Sequence, residues 1–486
     1  MKRIIFLTVL LLIFISCSEN NPAKNETLTP ETQSLKPETT KLLPDLPDVS
    51  FNNTDFVFLL TSWWPSTSNL IAFPYVVSET LNGEIVNDAV YMRNTLISEK
   101  YGVNIKEIDL TGQDSGGGGI GYQRISKGYM AGDHEYDAGF IGTYDVCTLA
   151  RDGYLHDLLE LPHIDLDKPW WDARVKRDLL IGNKMYFTNG DINIQNNECT
   201  YAILFNKRLI NDYKLEIPYE LVLNNKWTID KFLSMAKGVS QDLNGDGKWD
   251  ENDQYGILVW QDSVYGMIVA AGEKIATVID GKIELTLYNE NTVSTLTKYM
   301  DFLKDETYSL NIRTLNSGEV NMFANNQALF HTRYISTIKL LRDMETDFGI
   351  LPYPKLYETQ SSYYSNIHGY GDSFVCIPKT AANPEMSAII LEALAAESMY
   401  NITPAYYDVT LTGKFFRDDE SREMLDIIFS TRGYDVGLFY QVGGYTSTLL
   451  EMLNSLRNDF TSVYQKDEAK ALQQIDTINQ AFSENN

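Results

Sequence analysis

Apolar and polar positions follow two different periods along this chain. Residues 55–61 (DFVFLLT) form an apolar run with the length and β-rich character of a buried strand, and 103–110 (VNIKEIDL) alternates apolar with polar as a strand does. Between them, 87–101 (NDAVYMRNTLISEKY) repeats with the period of a helix, and Gly102 stands where a helix needs positive φ to stop. A glycine run, a further helix and an apolar strand at 136–141 (YDAGFI) complete the order β-α-β-α-β. That order predicts a parallel sheet with helices on its faces. A second set begins at 184–188, with a strand at 201–205 and a short helix at 206–213. The pattern over 227–238 predicts a helix with Thr228 as N-cap and Trp227 and Phe232 as the two ends of a hydrophobic staple. Short strands are predicted at 348–351 and 374–377, and helices at 384–397 and 447–482. No repeat of roughly 20–50 residues is visible.

The N-terminus has a different grammar. Lys2 and Arg3 precede an apolar run from Ile4 to Ile15 interrupted by Thr8. It is short for the ~30 Å of a hydrocarbon core and fits a secretory signal. Cys17 closes the run behind Ile15 and Ser16, which resembles a bacterial lipobox with Phe14 where Leu is usual. The resemblance implies that 1–16 is a signal peptide and that Cys17 becomes the lipid-modified first residue. Residues 18–48 are rich in Pro, Thr, Ser, Asn, Glu and Lys, so 17–49 reads as a flexible tether holding the body at the outer face of the membrane. No other uninterrupted apolar run of ~18 residues occurs.

Composition narrows the classes. The chain has 486 residues, 40 Lys+Arg against 66 Asp+Glu, a formal charge of -26 and 44% hydrophobic residues. This is a globular chain of about two to three domains. The acidic balance excludes a nucleic-acid partner and peripheral binding to anionic lipid, because no basic stripe is available. Beyond Cys17 only Cys147, Cys199 and Cys376 remain, widely spaced and without a CxxC, which reads as buried thiols.

Five segments, in order, resemble one family. They are YDAGFIGTYDVCTLARDGYLHDL (136–158), YAILFNKRLINDYKLEIPYELVLNNKWTIDKFLSMAK (201–237), FANNQALFHTRYISTIKLL (323–341, with Asn326 where Gly is usual), FGILPYPK (348–355) and SFVCIPKTAANPEMSAIILEAL (373–394). They are similar to blocks of the extracellular solute-binding proteins of ABC transporters, sugar- and maltose-type (family 1), over roughly 50–430. The resemblance implies an α/β, two-lobed periplasmic-binding-protein-like fold with hinge crossovers. Lobe one is then 50–187 with 372–430, and lobe two 188–371 with 431–486. The ligand would sit in the cleft between them.

Candidate ligand contacts follow from strand ends and that chain path. Trp63 and Trp64 follow the first strand at its carboxyl end, where open α/β sheets bind ligands. Tyr144 and Asp145 follow the 136–141 strand similarly. Asp191 and Asn193 follow the first hinge crossing. Trp260, Gln261 and Asp262 follow a strand of lobe two, and Arg333 and Tyr334 fall in the family's "G-x-W" neighbourhood. Aromatic faces with carboxylate and amide partners suit sugars, whose C–H faces stack while their hydroxyls need hydrogen bonds.

The sharpest local motif is 242–253 (DLNGDGKWDEND). Asp242, Asn244, Asp246, Asp250 and Asp253 fall at calcium-loop positions 1, 3, 5, 9 and 12, with Gly247 at the sharp turn and the Lys248 carbonyl at 7. Asp at position 12 reaches less far than the usual Glu. This predicts a weak structural Ca²⁺ bracing lobe two. The GxGxxG at 116–121 lacks the strand–turn–helix spacing of a dinucleotide site and reads as a mobile loop. The five His (134, 156, 163, 331, 368) show no metal spacing and read as surface or satisfied side chains. Trp170 and Trp171 read as core near the hinge.

Together these readings predict a monomeric, lipid-anchored, non-enzymatic protein on the extracellular face of the cell membrane, capturing a small solute, carbohydrate in class, for an ABC permease. Alternatives are a surface glycan-acting enzyme or adhesin using Asp191 or Asp262, and a ligand sensor for a membrane kinase.

Overall fold

Two five-stranded sheets organise the chain. A computed structural model describes residues 41–64, 76–113, 117–314, 319–407 and 418–484. Cys17, its apolar leader and most of the tether lie outside the described residues. Numbered in chain order, the strands are β1 Thr54–Leu60, β2 Val103–Asp109, β3 Ala138–Gly142, β4 Phe187–Thr188, β5 Tyr201–Asn206, β6 Tyr255–Val259, β7 Ala276–Ile279, β8 Lys282–Leu285, β9 Ser309–Asn311, β10 Ala328–Tyr334, β11 Phe348–Leu351, β12 Ser365–Asn366, β13 Ser373–Cys376 and β14 Arg432–Gly433.

The first sheet has the order β2-β1-β3-β13-β4 and the second β11-β5-β10-β6-β9. In the first, β1 runs parallel to β2 and β3 with Leu60 opposite Asp109 and Phe140, as the β-α-β-α-β order predicts. β13 is antiparallel to β3 and β4, so the sheet is mixed rather than wholly parallel. The reason is topological: β13 arrives from the second sheet and not through a local helical crossover. β3 and β5 are buried along their whole length, which is why they read as continuous apolar runs.

Local signals set most helix ends. Gly102 closes helix Ile85–Tyr101 at φ 59° and donates its N–H to Ser98 O. Thr228 caps Ile229–Lys237 by accepting from Lys231 N, and the staple rings of Trp227 and Phe232 lie 5.7 Å apart. Two expectations change. The predicted 447–482 helix is two helices, Tyr445–Asn454 and Phe460–Glu484, broken where Leu456 takes φ 51°. The 384–397 helix runs on to Pro404. Packing starts earlier than residue 50, since Leu46 and Val49 already lie against the core.

Three segments cross between the sheets and lie side by side. β12 pairs in parallel with β14, Ser365 opposite Arg432, and Thr200 bridges Ile367. Helix Asp419–Ser430 packs on β11 of the second sheet, where the Tyr219 hydroxyl meets Ser421 Oγ at 2.8 Å. Among the described residues, no helix is long and apolar enough to cross a membrane.

Candidate functional site

A cavity of about 680 Å³ opens where the carboxyl ends of strands from both sheets meet a crossing segment. Trp63 and Trp64 enter it from the end of β1. Trp260, Gln261 and Asp262 enter from the end of β6, Tyr334 from the end of β10, and His368 and Tyr370 from the crossing between β12 and β13. Arg313 and helix Tyr445–Asn454, through Ser447, Leu450, Glu451 and Asn454, complete the wall.

Specific partners hold most of these aromatics. The Ser62 hydroxyl donates to Trp64 O at 2.6 Å and fixes the turn after β1. Trp63 is 43% exposed, its ring edge-on to Tyr370 at 5.5 Å, and Tyr370 in turn lies 4.9 Å from Tyr144. On the opposite side the guanidinium of Arg333 lies 3.9 Å from the centre of the Trp260 ring, and the indole N–H donates to Asp262 Oδ2 at 2.6 Å. His368 Nε2 lies 3.1 Å from the same oxygen. His368 also packs against Tyr334 at 5.3 Å and Tyr370 at 5.8 Å. Burial opposes ionisation of Asp262, but His368, Trp260 and Arg333 together hold its carboxyl below the usual carboxylate value. Gln261 Oε1 accepts from Arg313 and from Asn454 Nδ2. The result is a mostly aromatic pocket with a few oriented polar atoms, the composition of a small-molecule site.

Six of the sequence candidates, Trp63, Trp64, Trp260, Gln261, Asp262 and Tyr334, meet in this cavity; Arg333 backs it by stacking on Trp260. The others do not. Asp145 is buried, and its carboxylate accepts from the amides of Gly118, Gly119 and Tyr122 at 2.7, 2.7 and 2.9 Å. It therefore caps helix Ile120–Ala131 and pins the end of the glycine run, which corrects the reading of that stretch as mobile for residues 117–121; 114–116 lie outside the described residues. Tyr144 sits behind Tyr370. Asp191 and Asn193 line a separate cavity of about 290 Å³ beside Trp170, Trp171, Asp172, Arg174, Thr403 and Arg432, among the crossings. Asn193 Nδ2 donates to Ser373 O at 2.9 Å, tying this crossing to the start of β13 in the first sheet. Asp191 accepts from the Thr403 hydroxyl at 2.6 Å, and burial pushes its carboxyl up to about 6. Trp170 and Trp171 are buried, and both indole N–H groups donate to Glu392.

Sequence reasoning missed His368, Tyr370, Arg313 and the 447–454 helix face. His368 is neither at the surface nor fully satisfied: it is buried, with Nδ1 unpartnered. Nothing in its spacing could have found it, because its partners lie on other elements.

The 242–253 loop closes on itself. Asp242 accepts from the amides of Gly245 and Gly247 at 2.7 and 2.9 Å, Asp246 from Lys248 at 2.8 Å, and Asp253 from Leu243 and Asp250. Gly247 takes φ 76°, the turn its position requires. Among the described residues no three His, Cys, Asp or Glu side chains converge as a metal-ligand group.

No family model matches the chain, and no curated protein matches it. Solved structures do. A cyclo/maltodextrin-binding protein complexed with maltotetraose aligns over 88% of this chain and 96% of its own, at 12% identity and TM-score 0.56. UgpB from Mycobacterium tuberculosis, in complex with glycerophosphocholine, aligns over 87% and 98%, at 16% identity and TM-score 0.55. The ABC substrate-binding protein Lmo0181 from Listeria monocytogenes, in complex with cycloalternan, aligns over 89% and 99%, at 14% identity and TM-score 0.51. The match runs across both sheets and the crossings between them, and the chain thus has the two-lobed fold of the substrate-binding proteins of ABC transporters.

Proposed function

We propose that this protein captures a small neutral, polyhydroxy solute, an oligosaccharide in class, and presents it to an ABC importer without chemical conversion. The observation that carries this reading is the cavity between strand ends of the two sheets, where Trp63, Tyr370, Tyr334 and Trp260 offer ring faces around an ionised, oriented carboxylate at Asp262. Such walls desolvate C–H faces while leaving an acceptor for hydroxyls. Lobe one would be 50–187 with 372–430 and lobe two 188–371 with 431–486, the helix at 419–430 docking on the second. Closure would trap the ligand by differential affinity for the closed state. Cleavage after residue 16 and lipidation of Cys17 would hold a monomer at the extracellular face, beside its permease.

A weak structural Ca²⁺ at Asp242, Asn244, Asp246, the Lys248 carbonyl, Asp250 and Asp253 belongs to the same proposal. The oxygen spacing and the positive φ of Gly247 support it. The ion would have to displace amides that the carboxylates now hold, which favours low affinity.

Isothermal titration against maltotetraose, cellotetraose, xylotetraose and raffinose tests the capture reading. Binding without product, lost in Trp260→Ala, is expected. Turnover of a bound glycan, abolished by Asp262→Asn, would replace capture by catalysis.

A further inference from the structure

We infer that His368 is a positioning residue that aims Asp262 at a ligand hydroxyl, so that the cleft selects ligands by a donated hydrogen bond. The inference rests on the proposed capture function and deepens it. Asp262 lines the cavity, and one oxygen, Oδ2, takes both the Trp260 indole N–H at 2.6 Å and His368 Nε2 at 3.1 Å. Its other oxygen, Oδ1, takes no hydrogen bond from any described residue. An ionised carboxylate has no proton to give, so the Nε2 proton belongs to His368. Two donors converging on one oxygen fix the carboxylate plane and leave the second oxygen as a pre-aimed acceptor.

The ring of His368 cannot swing away. It is wedged among Tyr201, Tyr334 and Tyr370 at 6.0, 5.3 and 5.8 Å. Its backbone belongs to a crossing: His368 N donates to Cys199 O at 2.8 Å, on the neighbouring crossing. Tyr370, two residues on, touches Trp63 and Tyr144 of the first sheet. One crossing therefore carries the floor of the cleft and holds the acceptor of the second sheet from below.

An acceptor alone would also suit an organic cation in an aromatic cage. Here the Arg333 guanidinium covers one face of Trp260, and Arg313 lies in the wall. The wall also holds Glu451, so two guanidiniums face two carboxylates and leave no net charge to attract an ammonium, and a neutral hydroxyl donor is what remains.

Calorimetry with maltotetraose, cellotetraose, raffinose and choline as probes tests this on wild type, His368→Phe, His368→Gln, Asp262→Asn and the double variant His368→Phe/Asp262→Asn. Wild type is expected to bind a neutral sugar and not choline. Losing a hydrogen bond to a charged group should weaken that sugar about tenfold or more in His368→Phe. His368→Gln, which keeps an N–H donor, should restore affinity to within about threefold. In the Asp262→Asn background, His368→Phe should cost nothing further, a coupling that a merely structural histidine would not show. Sugar binding unchanged in His368→Phe, or losses that add in the double variant, would overturn the positioning role while leaving capture intact. Preferential choline binding would overturn the hydroxyl selection. Wild-type silence toward all four probes would overturn the capture reading and this inference with it.

Discussion

Asp172 and Arg432 form a buried ion pair, with Nη2 3.0 Å from Oδ2. Asp172 caps helix Ala173–Leu179 beside the first sheet, whereas Arg432 begins β14 on a crossing, so the pair bolts that crossing to the first lobe. Burial opposes ionisation of Asp172, and the Arg432 and Arg174 charges nevertheless hold it well below the usual carboxylate range. The Tyr434 hydroxyl donates to the same oxygen at 2.8 Å. Removing Arg432 leaves Asp172 with the half-buried Arg174 as its one remaining described cation, so Arg432→Met should lose about 2–4 kcal/mol in urea denaturation, below the ~3–5 kcal/mol of a fully stranded charge. The double variant Asp172→Asn/Arg432→Met should recover part of that loss. A loss under about 1 kcal/mol would mean the pair is effectively solvated.

Asp372, the residue before β13, is pushed up to about 7 by burial, against the pull of the Ser373 amide, Arg432 and Asn189 and with a push from Asp172. Its folded value lies above its unfolded one. Between about pH 4 and 7 the folded state therefore binds the extra proton, and this group's contribution to stability falls as pH rises through that window. Asp372→Asn abolishes the titration. Relative to wild type, the variant should be more stable at about pH 8 than at about pH 5, by up to a few kcal/mol. Urea midpoints at the two pH values read the difference, and a pH-independent gap would show that Asp372 does not titrate there.

The Asp145 carboxylate accepts from both the Gly118 and Gly119 amides, while their carbonyls accept from Gln123. Asp145→Ala removes three amide partners at once. It should cost about 2–4 kcal/mol, at roughly 1–3 kcal/mol for each bond to a charged group with partial recovery by water. Amide exchange should rise first at Gly118, Gly119 and Tyr122. Protection unchanged at those amides would contradict the capping role.

Calcium at a concentration near ten times a dissociation constant of roughly 10⁻⁴–10⁻³ M should stabilise the protein by about 1.4 kcal/mol. Thermal unfolding in Ca²⁺ against chelator reads this, and Asp242→Asn should remove the response. An identical midpoint with and without Ca²⁺ in wild type would leave 242–253 as a self-capped turn.

A substitution in the hinge offers a steric check. A Cβ on Gly190 would lie 2.2 Å from Trp170 O and 2.9 Å from Trp171 Cα. Because Glu392 clamps both indoles, that loop has little room to retreat. Gly190→Ala should destabilise by about 1–3 kcal/mol, the usual cost of overpacking. A neutral substitution would show the Trp170–Trp171 loop to be movable.

Legibility followed the range of each signal. Gly102, Thr228 and the Trp227–Phe232 staple act over a turn or two, and their helices stand where the periodicity puts them. The break at Leu456 leaves no mark in the sequence, because the apolar spacing continues through it; what divides the helices is their separate packing, Tyr445–Asn454 on helix Ser263–Ala270 and Phe460–Glu484 on β8. Among site residues, Trp63, Trp64 and the 260–262 triplet were legible as strand-end positions. Asp191 and Asn193 follow a strand end equally well, yet their strand ends in a crossing, and they serve the hinge.

The order of strands and helices, and the blocks resembling solute-binding proteins, were written in the chain itself, because burial of a strand or one helix face demands its own local spacing of apolar residues. Which side chains share the cleft was not. His368 reaches Asp262 across 106 positions and Asp145 reaches Gly119 across 26. Only the folded arrangement of two sheets and three crossings brings such distant residues within hydrogen-bonding range, and that decides which carboxylate reads a ligand, which caps a helix and which braces a hinge.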